Sequence, residues 1–155
     1  MHKVPIQIRF SDIDGVGHVN NAVYSDYFDV GRLQYFREAF GRPLNWGDAQ
    51  TLVLVHTEAD YLQPTFLYDR IEVHTSVVEI SRRSVKMQQR IVAAGGSVRV
   101  KGYSVLSTCD RDTGQSFPMP EEWRKKIAAF ENLMRKKGEE GEECPSGGEG
   151  EEVKN

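Results

Sequence analysis

The chain has little sulfur. Cys109 and Cys144 are its only cysteines in 155 residues, far apart and outside any Cys-x-x-Cys pair, which argues against a zinc knuckle, a redox dithiol and a secreted disulfide scaffold. No apolar run approaches the roughly 20 residues that span a bilayer. The opening Met1-His2-Lys3-Val4-Pro5-Ile6 alternates apolar and polar residues and lacks the charged stub and apolar block of a signal peptide. These absences point to a cytoplasmic protein with neither a membrane nor a nucleic acid as partner.

What is present suits one domain. Hydrophobic residues make up 39% of the chain, enough to bury a core without disulfide or metal staples. The net charge of −3 is unevenly spread: residues 139–155 hold seven Glu and one Lys. Residues 1–138, with 19 Lys+Arg against 16 Asp+Glu, are mildly basic, which suits a polyanionic small ligand.

Val4, Ile6, Ile8 and Phe10 alternate with polar residues and predict a first strand. Residues 21–40 follow as one long helix, with Tyr24, Tyr27, Phe28, Gly31 and Tyr35 in a buried stripe and Gly41 as its stop. Gly31 lowers helix propensity, so a close approach to another backbone is expected there. Four strands are predicted next, over residues 51–61, 70–80, 84–93 and 97–109, as an antiparallel meander with Gly95-Gly96 at one hairpin. Pro118-Met119-Pro120-Glu121-Glu122 opens a short C-terminal helix with Trp123, Ile127, Phe130 and Met134 inward, ending at Gly138. The domain is therefore placed at 1–138, with an acidic disordered tail at 139–155. The fold class is α+β, and its uncovered sheet face or edge predicts a homodimer or a homotetramer built as a dimer of dimers.

Polar residues concentrate between the first strand and the long helix, in Asp12-Ile13-Asp14-Gly15-Val16-Gly17-His18-Val19-Asn20-Asn21. The glycines let the backbone turn and approach a ligand, and Asn20 or Asn21 suits an N-cap. The first helical amides then face the loop that holds the carboxylates. A carboxylate can attack an ester or thioester carbonyl or deprotonate water, while those amides hold the charge developing on the oxygen. For any one residue, a turn-forming or capping role accounts for its presence, but less well for all together. An EF-hand fails because Val16 and Val23 stand where oxygen ligands belong. A metal site from Asp12, Asp14 and His18 lacks a second histidine at helical spacing, and a phosphate loop lacks its third glycine or Gly-Lys-Ser/Thr.

The pattern Asp12-x-Asp14-x-x-Gly17-His18-Val19-Asn20-Asn21-x-x-Tyr24, between a strand and a long helix, resembles the signature of 4-hydroxybenzoyl-CoA thioesterase-like hotdog proteins. Residues 59–69, Ala-Asp-Tyr-Leu-Gln-Pro-Thr-Phe-Leu-Tyr-Asp, are similar to the same family's second strand and turn. The resemblance implies a five-stranded antiparallel sheet wrapped around the long helix, with active sites at a dimer interface. It implies Asp14 as nucleophile or general base and the backbone amide of Asn21 as the group that polarises the carbonyl. His18 and Asn20 match fatty acyl-CoA and acyl-carrier-protein thioesterases. Some relatives on that branch place an Asn where this chain has Val16, which leaves His18 in a supporting role. Arg82 and Arg83 lie in a turn where relatives hold basic residues that can meet coenzyme A phosphates, a solvated turn being the plainer reading. Tyr24, Tyr27 and Phe28 read mainly as core, with Tyr24 a candidate to line an acyl pocket. The function implied is hydrolysis of an acyl-CoA to a free acid and coenzyme A, in lipid metabolism, without a metal or bound cofactor. The rival expectations are an enoyl- or hydroxyacyl-CoA hydratase-dehydratase and a non-catalytic acyl-CoA-binding protein.

Overall fold

The computed structural model describes residues 1–42 and 48–142. Five strands, β1 (His2–Ile6), β2 (Gln50–Tyr61), β3 (Ile71–Ile80), β4 (Ser84–Ala93) and β5 (Val98–Asp110), form one sheet with helices α1 (Val23–Phe40) and α2 (Glu121–Glu142). All pairings are antiparallel, in the order β1-β3-β4-β5-β2. The expected meander thus holds for β3, β4 and β5 only. β2 lies at the far edge against β5, because Leu62 and Gln63 donate their amides to the Arg99 carbonyl at 2.8 and 3.1 Å, and the chain then crosses the end of the sheet to reach β3.

The first strand is shorter than its alternation predicts. It ends at Ile6, and Phe10 is 84% exposed. The Asp12 amide donates to the Arg9 carbonyl at 2.9 Å, and the Asp12 carboxylate accepts from the Arg9 amide at 2.9 Å. These local bonds draw the chain into a turn and compete with the ladder. At the other end of the domain α2 runs past Gly138 to Glu142. The rest of the predicted acidic tail, residues 143–155, lies outside the described residues.

The core divides into two apolar clusters along α1. Tyr24, Tyr27 and Phe28 pack on Ile71, Val73, Ile91 and Val100 near the start of the helix. Tyr35 and Phe36 pack on Val85 and Met87 and on Ile127, Phe130 and Met134 of α2 near its end. A polar layer separates them. Arg32, 6% exposed, donates through Nη1 to Gln89 Oε1 and Ser104 Oγ, both at 2.9 Å, and through Nη2 to Asp29. Gln89 Nε2 in turn donates to the Phe28 carbonyl at 3.0 Å and to Thr75 Oγ1 at 3.1 Å. Partners on β3, β4 and β5 thereby fix the rotation of the helix, since a buried donor left unmatched costs about 1–3 kcal/mol.

Gly31 lies where the helix touches the sheet. A Cβ there would stand 2.5 Å from Val73 Cγ1 and 3.0 Å from both Gln89 Nε2 and Thr75 Oγ1. In an open helix, alanine in place of glycine stabilises by about 1 kcal/mol. Here overpacking reverses the sign, and Gly31→Ala is expected to cost about 1–3 kcal/mol in chemical denaturation. A stabilised variant would show that the close approach is not a constraint.

Candidate active site

Residues 13–19 form a small loop closed by a bridge between Ile13 and Val19. The Asp14 amide donates to the His18 carbonyl at 2.8 Å, and the Gly17 amide returns to the Asp14 carbonyl at 3.1 Å. Gly17 has φ of 84°, a left-handed conformation that disfavours any side chain. The loop closes around the Asp14 carboxylate, whose Oδ1 accepts from the amides of Val16 at 3.0 Å and His18 at 3.3 Å. Its Oδ2 takes no donor among the described residues. The side chain is partly exposed. One oxygen is thus held by the loop and the other left toward solvent.

The helix start differs in detail from the expected cap. α1 begins at Val23 with Ala22 as N-cap and no side-chain capping bond at that position. Asn20 acts just before it: its Oδ1 accepts from the Ala22 amide at 3.0 Å and its carbonyl from the Val23 amide at 2.9 Å. An Asn side chain readily closes such a turn two residues on. Asn21, exposed, then has a backbone N–H that reaches no acceptor among the described residues. An open carboxylate oxygen and an open amide therefore lie on one short segment, at the positive end of a helix.

Two supports hold the segment. Asp12, 2% exposed, receives hydrogen bonds from the Arg9 amide (2.9 Å), Arg9 Nη2 (3.1 Å) and the Tyr27 hydroxyl (2.7 Å), while its carbonyl accepts from the Asn20 amide at 2.9 Å. Burial alone would raise the proton affinity of Asp12, but these donors and the Arg9 charge outweigh it and hold the carboxyl below its usual range. Burial and the Asp12 contact push the Tyr27 hydroxyl the other way, so it stays protonated and donates. The second support is the Val19 amide, which donates to the carbonyl of the fully buried Thr65 at 2.8 Å. The His18 ring meets the Phe66 ring edge-on at 5.1 Å. Nothing in the sequence singled out Thr65 or Phe66 as supports of the loop, although both lie in the second stretch that carries the family resemblance.

Asp14, His18, Asn20 and Asn21 lie together, and Tyr24 follows on the first turn of the helix. Tyr24 borders a small cavity of about 120 Å³ with Ser25, Phe28, Thr57, Ala59 and Tyr61. Arg82 and Arg83 do not join them within one chain. They sit in the β3–β4 turn, where Arg83 Nη1 donates to the Ser116 carbonyl at 3.0 Å, at the opposite end of the sheet. Ten-residue strands separate the two ends by about 30 Å. Among the described residues, no three of His, Cys, Asp or Glu are grouped to hold a metal ion.

Residues 8–127 match the model of the thioesterase-like superfamily. The chain belongs to that superfamily. Its fold is the hotdog fold, and the reaction class of the family is thioester hydrolysis. A thioesterase from Thermus thermophilus, solved with coenzyme A and Zn, is 33% identical, with 84% of this chain and 93% of that one covered and a TM-score of 0.74. A predicted thioesterase from Bacillus stearothermophilus is 30% identical over 83% of this chain and 94% of its own, with a TM-score of 0.76. The uncharacterized protein YsmA of Bacillus subtilis is 23% identical over 118 residues, 76% of this chain and 78% of its own length.

In this member of the superfamily the buried Asp12 gives the site a pH signature. A carboxyl with a lowered folded value contributes stability that is present above the unfolded value of about 3.9 and lost as pH falls through the folded one. Asp12→Asn is expected to lower unfolding free energy at pH 7 by about 1–3 kcal/mol, with the gap to wild type narrowing below pH 4. A gap that stays constant between pH 7 and pH 3 would contradict the assignment.

Proposed function

We propose that the protein is a cytoplasmic acyl-CoA thioesterase of lipid metabolism, hydrolysing its substrate to a free carboxylic acid and coenzyme A. The observation that carries this reading is the pair of open groups on one segment, Asp14 Oδ2 and the backbone N–H of Asn21. In the reaction the thioester oxygen accepts from the Asn21 N–H. Asp14 attacks the carbonyl carbon or takes a proton from the water that does. The C–S bond then breaks, and the coenzyme A thiolate leaves and takes up a proton from the attacking water or from solvent. Where Asp14 is the nucleophile, water then hydrolyses the Asp14–acyl anhydride, which frees the acid and restores the carboxylate. Loss of one oxyanion donor costs roughly 3 kcal/mol of barrier in acyl-transfer enzymes. His18, held edge-on to Phe66, shapes the loop through its amide and carbonyl, and Asn20 fixes the first amides of α1. Tyr24 and its small cavity receive the start of the acyl group.

The proposed unit is a homodimer, alone or doubled into a tetramer. β2 is a twelve-residue edge strand with Val53, Leu54, Val55 and Tyr61 exposed, and an exposed apolar edge favours pairing with another chain. Antiparallel pairing of β2 with its copy about a two-fold axis reverses the second sheet. Arg82 and Arg83 of the partner subunit then face the same end as Asp14. Their turn borders β4, three strand spacings or about 14 Å from β2 of this chain, which suits an extended pantetheine arm whose phosphates meet the two arginines.

Thiol release from a panel of aliphatic and aromatic acyl-CoAs tests the reaction. Asp14→Asn should retain fold and oligomeric state while turnover falls at least about 100-fold, by analogy with loss of other catalytic acid-base groups. Retained turnover contradicts the reading, and a change in acyl unsaturation without thiol release favours a hydratase-dehydratase. For the interface, Leu54→Glu is expected to give monomers by sedimentation with little remaining activity. A fully active monomer would show that the site is complete within one chain.

A further inference from the structure

Arg99, on β5, belongs to none of the groups that reach the substrate in the proposed reaction, and its side chain is only 17% exposed. We infer that Arg99 is a positioning residue that fixes the Asp14 loop relative to the start of α1; the inference rests on Asp14 and Asn21 acting as proposed above.

Its contacts converge on the 62–69 crossing segment. Nη1 donates to the Pro64 carbonyl and to Asp69 Oδ2, the latter at 3.3 Å, and the Arg99 carbonyl receives the amides of Leu62 and Gln63. Asp69 Oδ2 also accepts from the Phe66 amide at 2.9 Å, and the Asp69 amide donates to the Phe66 carbonyl at 3.0 Å, so the turn is tied at both ends. The next residue along from Pro64 is Thr65, whose carbonyl holds the Val19 amide, and Phe66 supports the His18 ring. His18 and Val19 form the return half of the loop that grips Asp14.

The same cluster reaches α1. The Tyr24 hydroxyl lies against Thr65 and feels the charges of Arg99 and Asp69, although Thr65 Oγ1, fully buried, makes no well-formed hydrogen bond. Arg99 therefore ties β5 to a turn that touches both the carboxylate loop and the first turn of the helix. In a thioester reaction the attacking oxygen and the amide that holds the carbonyl must keep one spacing, and a misplacement of about 1 Å can cost about 100-fold in rate. An ion pair with one partner buried to this degree is also little screened by salt.

The test is a set of full-length variants assayed by thiol release and normalised to folded protein by denaturation curves. Arg99→Gln is expected to lower kcat by 10- to 100-fold with KM within about twofold, and Arg99→Lys to recover part of the loss. Asp69→Asn breaks the same pair from the other side and should show the same split, which covers the case of poor folding in the arginine variants. In an Asp14→Asn background, Arg99→Gln should lower the residual rate by no more than about twofold, because the group it positions is gone. Wild-type kcat per folded molecule in Arg99→Gln or Asp69→Asn, with Asp14→Asn inactive, overturns the positioning role alone. An equal rate loss in both backgrounds also overturns it, since a structural effect would be additive. Full turnover in Asp14→Asn overturns the reading of the site and this inference with it.

Discussion

Helix α1 meets the sheet at a residue with no side chain. Gly31 lets the helix axis settle against Val73 and Thr75, and the Arg32–Gln89–Ser104 layer one residue later prevents it from turning about that axis. Everything at the N-terminal end of the helix inherits this placement. Tyr24 and Tyr27 enter the core, Tyr27 reaches Asp12, and the Asn20-Asn21 corner is left at the surface with one amide that meets no acceptor among the described residues. The polar layer is costly to form inside a core, and its partners on three strands offset that cost while admitting a single helix rotation.

The loop follows a different logic, in which carboxylates are divided by burial. Asp12 is closed off, saturated with donors and held ionised as a structural group. Asp14, two residues on, spends one oxygen on the loop and keeps the other for solvent or substrate. Two neighbouring acids thus stand in opposite surroundings, one buried and anchoring the turn, the other partly exposed with one oxygen that takes no donor among the described residues. Free backbone N–H groups at a helix start are where a developing oxyanion is held at least reorganisation cost.

Much of this was legible in the residues. The strand periodicities placed β3, β4 and β5 to within a residue or so, and the aromatic stripe gave the buried face of α1 because both depend on local alternation. The proximity of Asp14, His18, Asn20 and Asn21 followed from their adjacency in the chain. Three features were not legible for one reason, which is that they depend on contacts that local patterning does not register. β2 reads as a strand next to β3 but pairs with β5 at the far edge of the sheet. Arg32 lies outside the stripe that the aromatic spacing marks, yet it is buried with Gln89 and Ser104, 57 and 72 residues away. Asp12 ends the first strand early through side-chain and backbone bonds to Arg9. Membership of the superfamily extends the legible part to the reaction class, while the separation of Arg82 and Arg83 from Asp14 emerges only from the sheet.

The account centres on a thioester carbonyl bound between Asp14 and the Asn21 amide at the junction of two copies of the chain. A crystal structure with a non-hydrolysable acyl-CoA analogue tests this most directly. The account predicts the carbonyl oxygen accepting from the Asn21 N–H, the carbonyl carbon about 3–3.5 Å from an Asp14 oxygen or from the water it holds, and the nucleotide phosphates against Arg82 and Arg83 of the partner subunit. An analogue bound within a single chain, with its carbonyl away from the loop of Asp14, would contradict it.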